Sequence, residues 1–356
     1  MNDTIKAARW FGPRDVRLVE EPAPVPGPHD ALIRVESVGV CGSDIHYYLE
    51  GRIGHAALKG PTILGHEYAG TVVAVGEKAD PTLLGRRVAV EPGIPCLACP
   101  WCLSGHYNVC EQMFFPGGPG CDGAMRQYMT VDARFCFPVS QNMSAAVAAM
   151  IEPAAVAVHT VELAALRPGD TVFIVGLGPI GMLTAQAART CGAARVLGTD
   201  LLPERVQFAL RKGWVDAAFT AKPGGANGGA GETLEWLMAH TGGSGADVCV
   251  DAANRSEGIW IATRGCRPTG RCVLTGISGK DDDLVPVSFA RRRELTLKWC
   301  RRFLHNYPGT IALIESGHID VASLITHRFA LEEAPKAFEL VAAYADGVLK
   351  ASVDMP

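Results

Sequence analysis

The chain has 356 residues, 48% hydrophobic and 20% charged, with a net charge of −4 at pH 7. That length predicts two domains with separate cores, and the composition is that of an ordinary soluble globular protein. So small a net charge supplies no basic field for a nucleic acid, and no nucleic-acid partner is expected.

The start Met1-Asn2-Asp3-Thr4-Ile5-Lys6 lacks the basic segment and roughly 7–15 apolar residues of a secretion signal. No run approaches the roughly 18 apolar residues of a membrane span. A cytoplasmic protein with no membrane partner is expected, and with it reduced cysteines and no disulfides.

Short β-branched runs broken by Gly and Pro open the chain: Ala31-Leu32-Ile33-Arg34-Val35, Gly70-Thr71-Val72-Val73-Ala74-Val75 and Arg87-Val88-Ala89-Val90. They predict strands of a compact, β-rich, barrel-like domain. Among them stand Cys41-Gly42-Ser43-Asp44-Ile45-His46 and Gly65-His66-Glu67. One thiolate, one imidazole and one carboxylate make an open zinc site, with the fourth position left for water or substrate. Taken singly, each reads more simply: Cys41 as a core thiol, His66 as a turn histidine, Glu67 as a surface charge.

Cys96, Cys99, Cys102 and Cys110 follow as C-x2-C-x2-C-x7-C, a spacing that wraps one tetrahedral zinc. Reduced core cysteines or a disulfide pair are the alternatives. The loop, with Gly93, Pro95, Pro100 and Gly105, has no apolar period, so a metal would supply its folding energy. Four protein ligands saturate the ion, and the chemistry must lie elsewhere. Cys191, Cys249, Cys266, Cys272 and Cys300 stand singly in apolar stretches, where reduced cysteine acts as a small hydrophobe.

Residues 145–166 are alanine-rich and helical in pattern, with Glu152-Pro153 at the domain junction. Beyond Pro168-Gly169-Asp170, strands alternate with helices, the signature of parallel βαβ units. Strands are predicted at 171–175, 195–200, 246–251 and 270–275, and helices from the glycine turn to about Thr190, at 203–212 and at 257–263. The glycine-rich run 224–231 is expected to be an irregular surface loop. A helix at 331–344 and a strand at 351–353 return the chain to its first domain.

The strand 171–175 runs into Gly176-Leu177-Gly178-Pro179-Ile180-Gly181. A lone G-x-G-x-x-G is only a glycine-rich turn, but this one lies between a strand and a helix. There Gly176 permits the tight turn, Gly178 lets backbone approach a pyrophosphate, and Gly181 lets helix pack on strand. Asp200, at the end of the next strand, suits the ribose hydroxyls of NAD and would repel the 2′-phosphate of NADP. Arg205 is either a solvated helix position or a contact to the ribose side of the same coenzyme.

Taken in order, Cys41-Gly42-Ser43-Asp44, Gly65-His66-Glu67, the four-cysteine lobe, Glu152-Pro153 and Gly176 to Gly181 resemble the zinc-dependent medium-chain dehydrogenases. Residues 41–54, Glu91-Pro92-Gly93 and Thr326-His327-Arg328-Phe329 look like the sorbitol and xylitol (polyol) dehydrogenase branch. The resemblance spans nearly the whole chain. It implies an α/β protein with a GroES-like catalytic domain (1–155 and 295–356, lobe at 93–110) and a Rossmann NAD-binding domain (156–294). It implies two zinc ions per chain, one catalytic and one structural, and a homotetramer or dimer. The activity implied is hydride transfer from a secondary alcohol of a polyol to NAD, giving a ketose.

Carried over by position, Cys41, His66 and Glu67 are the catalytic zinc ligands. Glu152 is a further carboxylate that binds directly, through water, or in exchange with Glu67. Ser43 and His46 are candidates for the proton relay, and Asp44 for a buttress of a ligand. Tyr47, Phe115, Arg302 and Phe303 match regions lining the polyol pocket, while Arg301 and Arg302 also suit solvated charges or a subunit contact. Arg291-Arg292-Arg293 is read as a solvated or interface run. Two features depart from the branch: Phe303 stands where polyol enzymes often carry tyrosine, and residues 114–121 are unusually glycine-rich. The intact cysteine lobe also fits butanediol and threonine dehydrogenases, which leaves 2,3-butanediol and L-threonine as alternative substrates. A zinc-stabilised NAD-binding protein without catalysis is the alternative of another class.

Overall fold

The computed structural model describes residues 3–224 and 229–356. It divides into two units, one of Met1–Glu152, Tyr307–Gly317 and Val321–Pro356, the other of Pro153–Asn306 and His318–Asp320.

In the first unit, Thr4–Gly12 and Asp15–Pro22 pair antiparallel, with Thr62–Ile63 on the other side of Thr4–Gly12. A larger sheet runs in the order Cys136–Pro138, Arg87–Val90, Glu67–Val75, Asp30–Gly39, Lys350–Asp354, Ile325–Ala330, and Tyr128–Asp132 also pairs with Asp30–Gly39. The β-branched runs form strands because they place Ile33, Val35, Val38 and Val72 in one core with Tyr68, Met125, Met129 and Phe338. Each such side chain contributes roughly 1.5–3 kcal/mol when fully buried. The last strand, Lys350–Asp354, pairs antiparallel with the end of Asp30–Gly39 through Ser352 and Gly39. That pairing brings the end of the chain to the backbone just before Cys41.

The second unit is a six-stranded, all-parallel sheet in the order Ala217–Thr220, Arg195–Asp200, Thr171–Val175, Ala246–Asp251, Cys266–Leu274, Thr296–Trp299. The chain winds outward one way from Thr171–Val175 and then the other way from Ala246–Asp251, a doubly wound order with its switch point beside the glycine turn. Val172, Phe173 and Ile174 are almost wholly inaccessible, as continuous apolar runs must be when helices cover both faces of a sheet.

The structure moves the expected domain boundary. Strand Thr296–Trp299 adds to the parallel sheet beside Cys266–Leu274, so the chain returns to the first unit after Asn306 and not at 295. A short exposed strand carries too few apolar positions to announce that pairing. Helix Gly229–His240 begins inside the glycine-rich run, contrary to the irregular loop expected at its end, because Gly229 and Ala230 are buried; residues 225–228 lie outside the described residues. Cys191 is exposed rather than packed in an apolar stretch, because it ends the helix Pro179–Thr190. Ala145–Ala164 is, among the described residues, the one stretch long and apolar enough to cross a membrane, yet 72% of its most apolar window is buried inside the protein.

Candidate metal and coenzyme sites

All four cysteines of the lobe converge. Cys96 Sγ lies 3.9 Å from Cys102 Sγ, and Cys99 Sγ lies 3.4 Å from Cys102 Sγ and 4.0 Å from Cys110 Sγ. Zinc–sulfur bonds of about 2.3 Å in a tetrahedron separate sulfurs by about 3.8 Å, so the donor set fits one zinc. Amides point at the sulfurs: Cys99 N donates to Cys96 Sγ and Cys96 N to Cys110 Sγ, each at 3.3 Å. The amides of Ala98 and Cys99 lower Cys96 to about 6, toward the thiolate a metal requires. The lobe is fastened from below by Glu91, whose carboxyl meets the Tyr107 hydroxyl and is pushed up to about 7 by burial.

A second cluster is built by different means. Cys41 caps the helix Gly42–Glu50, and the Asp44 carboxylate in the first helical turn accepts from the Cys41 amide at 3.0 Å. A cap of this type organises the turn and places an anion at the positive end of the helix. The other Asp44 oxygen accepts from Gly65 N at 3.3 Å and faces His66 Nδ1 at 3.4 Å. One buried carboxylate thus ties the Cys41 turn to the strand Glu67–Val75. Candidate ligand atoms of Cys41, His66 and Glu67 all fall within 4.8 Å of one another. One thiolate, one imidazole and one carboxylate at that spacing fit a zinc with an open fourth position.

Burial disfavours the His66 imidazolium, but Asp44 and Cys41 outweigh it and raise the ring well above its ordinary pKa. Phe115 packs on His66 with ring centroids 5.0 Å apart. Ser43 and His46 sit three apart on the capped helix, where such positions are neighbours, with Tyr47 buried on the next turn. Glu152 is buried at the end of the first unit and stays outside the 4.8 Å group. Arg302 and Phe303 belong to the second unit, Phe303 buried and Arg302 with a left-handed φ of 57°.

Sequence reading missed Lys350. Its Nζ lies 2.7 Å from both Glu67 oxygens and 3.2 Å from the carbonyl of Val40. Both side chains are buried, at 5% and 1% exposure. The available signal was a lone lysine inside the apolar run Val348-Leu349-Lys350-Ala351-Ser352-Val353, since a fully buried lysine needs a partner.

In the second unit the glycine turn has the geometry of its motif. Gly176 adopts φ 94°, and a β-carbon there would stand 2.9 Å from the Ala252 carbonyl oxygen. A β-carbon on Gly181 would stand 1.8 Å from the Gly176 carbonyl oxygen, so strand and helix meet there only through glycine. Gly178 caps the helix Pro179–Thr190, with Pro179 and Ile180 in its first turn, and the Arg205 guanidinium lies close over it. Asp200 accepts from Leu177 N at 2.7 Å and from Leu202 N at 2.9 Å. Ionised carboxylates have about four lone-pair sites, which leaves acceptor capacity on Asp200 beneath the turn.

Residues 27–141 match the family model described as the alcohol dehydrogenase GroES-like domain, and residues 179–316 match the model of the zinc-binding dehydrogenase. Sorbitol dehydrogenase of Bacillus subtilis is 34% identical over 349 residues, 98% of this chain and 97% of that one. The probable D-xylulose reductase A of Aspergillus clavatus is 36% identical over 93% and 92% of the two chains. Among solved structures, a zinc-binding dehydrogenase of Sinorhizobium meliloti bound to NADP superposes with a TM-score of 0.88 at 28% identity, covering 99% of this chain and 100% of that one. Fold, motif order and relatives agree: the chain belongs to the zinc-dependent medium-chain alcohol dehydrogenase family.

Proposed function

We propose that this protein is an NAD-dependent zinc dehydrogenase that oxidises a secondary hydroxyl of a sugar alcohol to the ketone. The observation that carries the reading is the three-donor cluster of Cys41, His66 and Glu67, in a chain about one-third identical to a sorbitol dehydrogenase along almost its whole length. When bound, zinc supplies the Lewis acidity that lets a hydroxyl lose its proton near neutral pH, and NAD supplies the hydride acceptor.

The chain's own residues hold and orient. Asp44 fixes the Cys41 turn and the His66 ring, the arrangement by which outer hydrogen bonds hold ligands in place. Ser43 and His46, on one face of the capped helix, carry the hydroxyl proton away. Tyr47, Phe115, Arg302 and Phe303 shape the polyol site, with Phe115 packed on a ligand ring. Glu152 is a reserve carboxylate outside the three-donor group. Gly176, Gly178, Pro179, Ile180 and Gly181 seat the pyrophosphate, Arg205 adds positive charge beside it, and Asp200 reads the ribose as NAD. Two zinc ions per chain, a cytoplasmic setting and a homotetramer or dimer complete the reading.

A panel of pentitols, hexitols, 2,3-butanediol and L-threonine scored by NADH absorbance tests the substrate class. Turnover on polyols is expected, and rates confined to butanediol or threonine would overturn it. Asp200→Ala should narrow the preference for NAD over NADP by about tenfold or more, close to one charge–charge contact of 1.4 kcal/mol. An unchanged ratio of kcat/KM values would place ribose recognition elsewhere.

A further inference from the structure

We propose that Lys350 is a positioning residue of the catalytic metal site: a fixed, buried counter-cation that competes with the metal ion for the Glu67 carboxylate and thereby weakens its hold on the ion. The inference rests on the assignment of Cys41, His66 and Glu67 as metal ligands.

Glu67 is the least ordinary of the three ligands because its charge is already satisfied. Lys350 Nζ reaches both of its oxygens at 2.7 Å, in surroundings where neither side chain is solvated. A pair so well formed and so dry strongly resists losing either partner. The lysine is also held where it stands, since its Nζ donates to the Val40 carbonyl and the neighbouring Ala351 carbonyl accepts from Val40 N at 2.9 Å. Val40 directly precedes Cys41, so one lysine touches the segments that carry two of the three donors.

Two effects follow, and they have the same sign. Any ion taking an oxygen of Glu67 shares it with an ammonium group, which draws charge from that oxygen. The same ammonium would repel a divalent cation held by that carboxylate. Both would weaken metal binding, and an ion held there would be left more electron-poor. A lysine that merely filled space would do neither.

The test measures metal affinity of the full-length protein by chelator competition for Zn2+, with Co2+ substitution and its visible absorption as a second readout. The cysteine lobe serves as the internal control, since its zinc should be unaffected. Lys350→Met should bind the catalytic metal about tenfold tighter or more, the scale on which groups around ligands act, and should shift the Co2+ bands. Lys350→Arg, which keeps the charge, should stay near the wild-type affinity, and Lys350→Met should raise affinity less in a Glu67→Gln background than in the wild type, because only the direct repulsion is then left to relieve. If Lys350→Met does not fold, the arginine variant decides: an affinity raised tenfold despite the retained charge would overturn the inference. Unchanged or weaker affinity in folded Lys350→Met, with unchanged Co2+ bands, would also overturn it. Failure of the underlying site assignment looks different: Cys41→Ser and Glu67→Gln would both keep the full metal content.

Discussion

Cys96, Cys99, Cys102 and Cys110 come from one short segment, whereas Cys41, His66 and Glu67 are gathered from a helix cap and a strand, with their counter-ion Lys350 lying 283 positions beyond Glu67. The lobe has four like donors, amides aimed at sulfur and three of its cysteines only partly buried. The other cluster has three unlike donors, a buried carboxylate behind the histidine and a buried lysine behind the glutamate. Four equivalent ligands close an ion off and can only stabilise a loop. Three unequal ones, each held by a further group, leave a coordination position open and set the charge around it. One fold thus carries two metal-donor sets, separated by donor count and by how much of the domain is needed to assemble each.

The sharpest way to break this contrast is to remove one sulfur from each site. Cys41→Ser should lower kcat by orders of magnitude and reduce zinc from two ions per chain to one, with the circular dichroism spectrum unchanged. Retained turnover would remove Cys41 from the reaction.

Cys99→Ser should do the reverse. The lobe loses its zinc and with it folding energy, so the melting temperature should fall by roughly 10 °C, while protein that stays folded keeps its kcat within a few-fold. Turnover lost in parallel with Cys41→Ser would show that the two sites are not independent.

The smallest effect concerns Glu91, which underlies the lobe. Burial raises its carboxyl from 4.5 to about 7, so the folded state holds a proton that the unfolded state has released. The stability contribution is full below pH 4.5 and is lost as pH rises through about 7. Glu91→Gln removes that dependence: it should be more stable than the parent by on the order of 2 kcal/mol at pH 8, and the gain should vanish near pH 4. Denaturant melts at the two pH values measure the difference, and an equal gain at both would mean that the Glu91 carboxyl does not titrate in this range.

Legibility in the sequence followed the range over which each feature is encoded. The strands Arg87–Val90, Thr171–Val175, Arg195–Asp200 and Ala246–Asp251 fall on the predicted residues, because each is a short apolar run bounded by turn residues. The strand Thr296–Trp299 escaped notice, and with it the true domain return, because an edge strand with two exposed ends has no such pattern. The helix Gly42–Glu50 was also missed, although it positions Cys41, Ser43, Asp44 and His46. Its cap is a cysteine, outside the usual Ser, Thr, Asp and Asn, and the box is closed by an aspartate three residues on. Lys350 went unread because its partner is remote in sequence.

The amino-acid sequence alone determined that two zinc-type donor sets exist, that a dinucleotide turn joins a buried strand to a helix, and that the chain alternates from a β-rich to a βαβ regime. Those properties rest on spacing and periodicity within windows of a few tens of residues, which local backbone geometry converts directly into shape. Tertiary structure decided that Glu67 shares its charge with Lys350 and that Asp44 bridges the Cys41 turn to His66. It also decided that Thr296–Trp299 completes the parallel sheet. These depend on strands far apart in the chain meeting in register, and the energy of a buried ion pair exists only once both partners have been taken out of water.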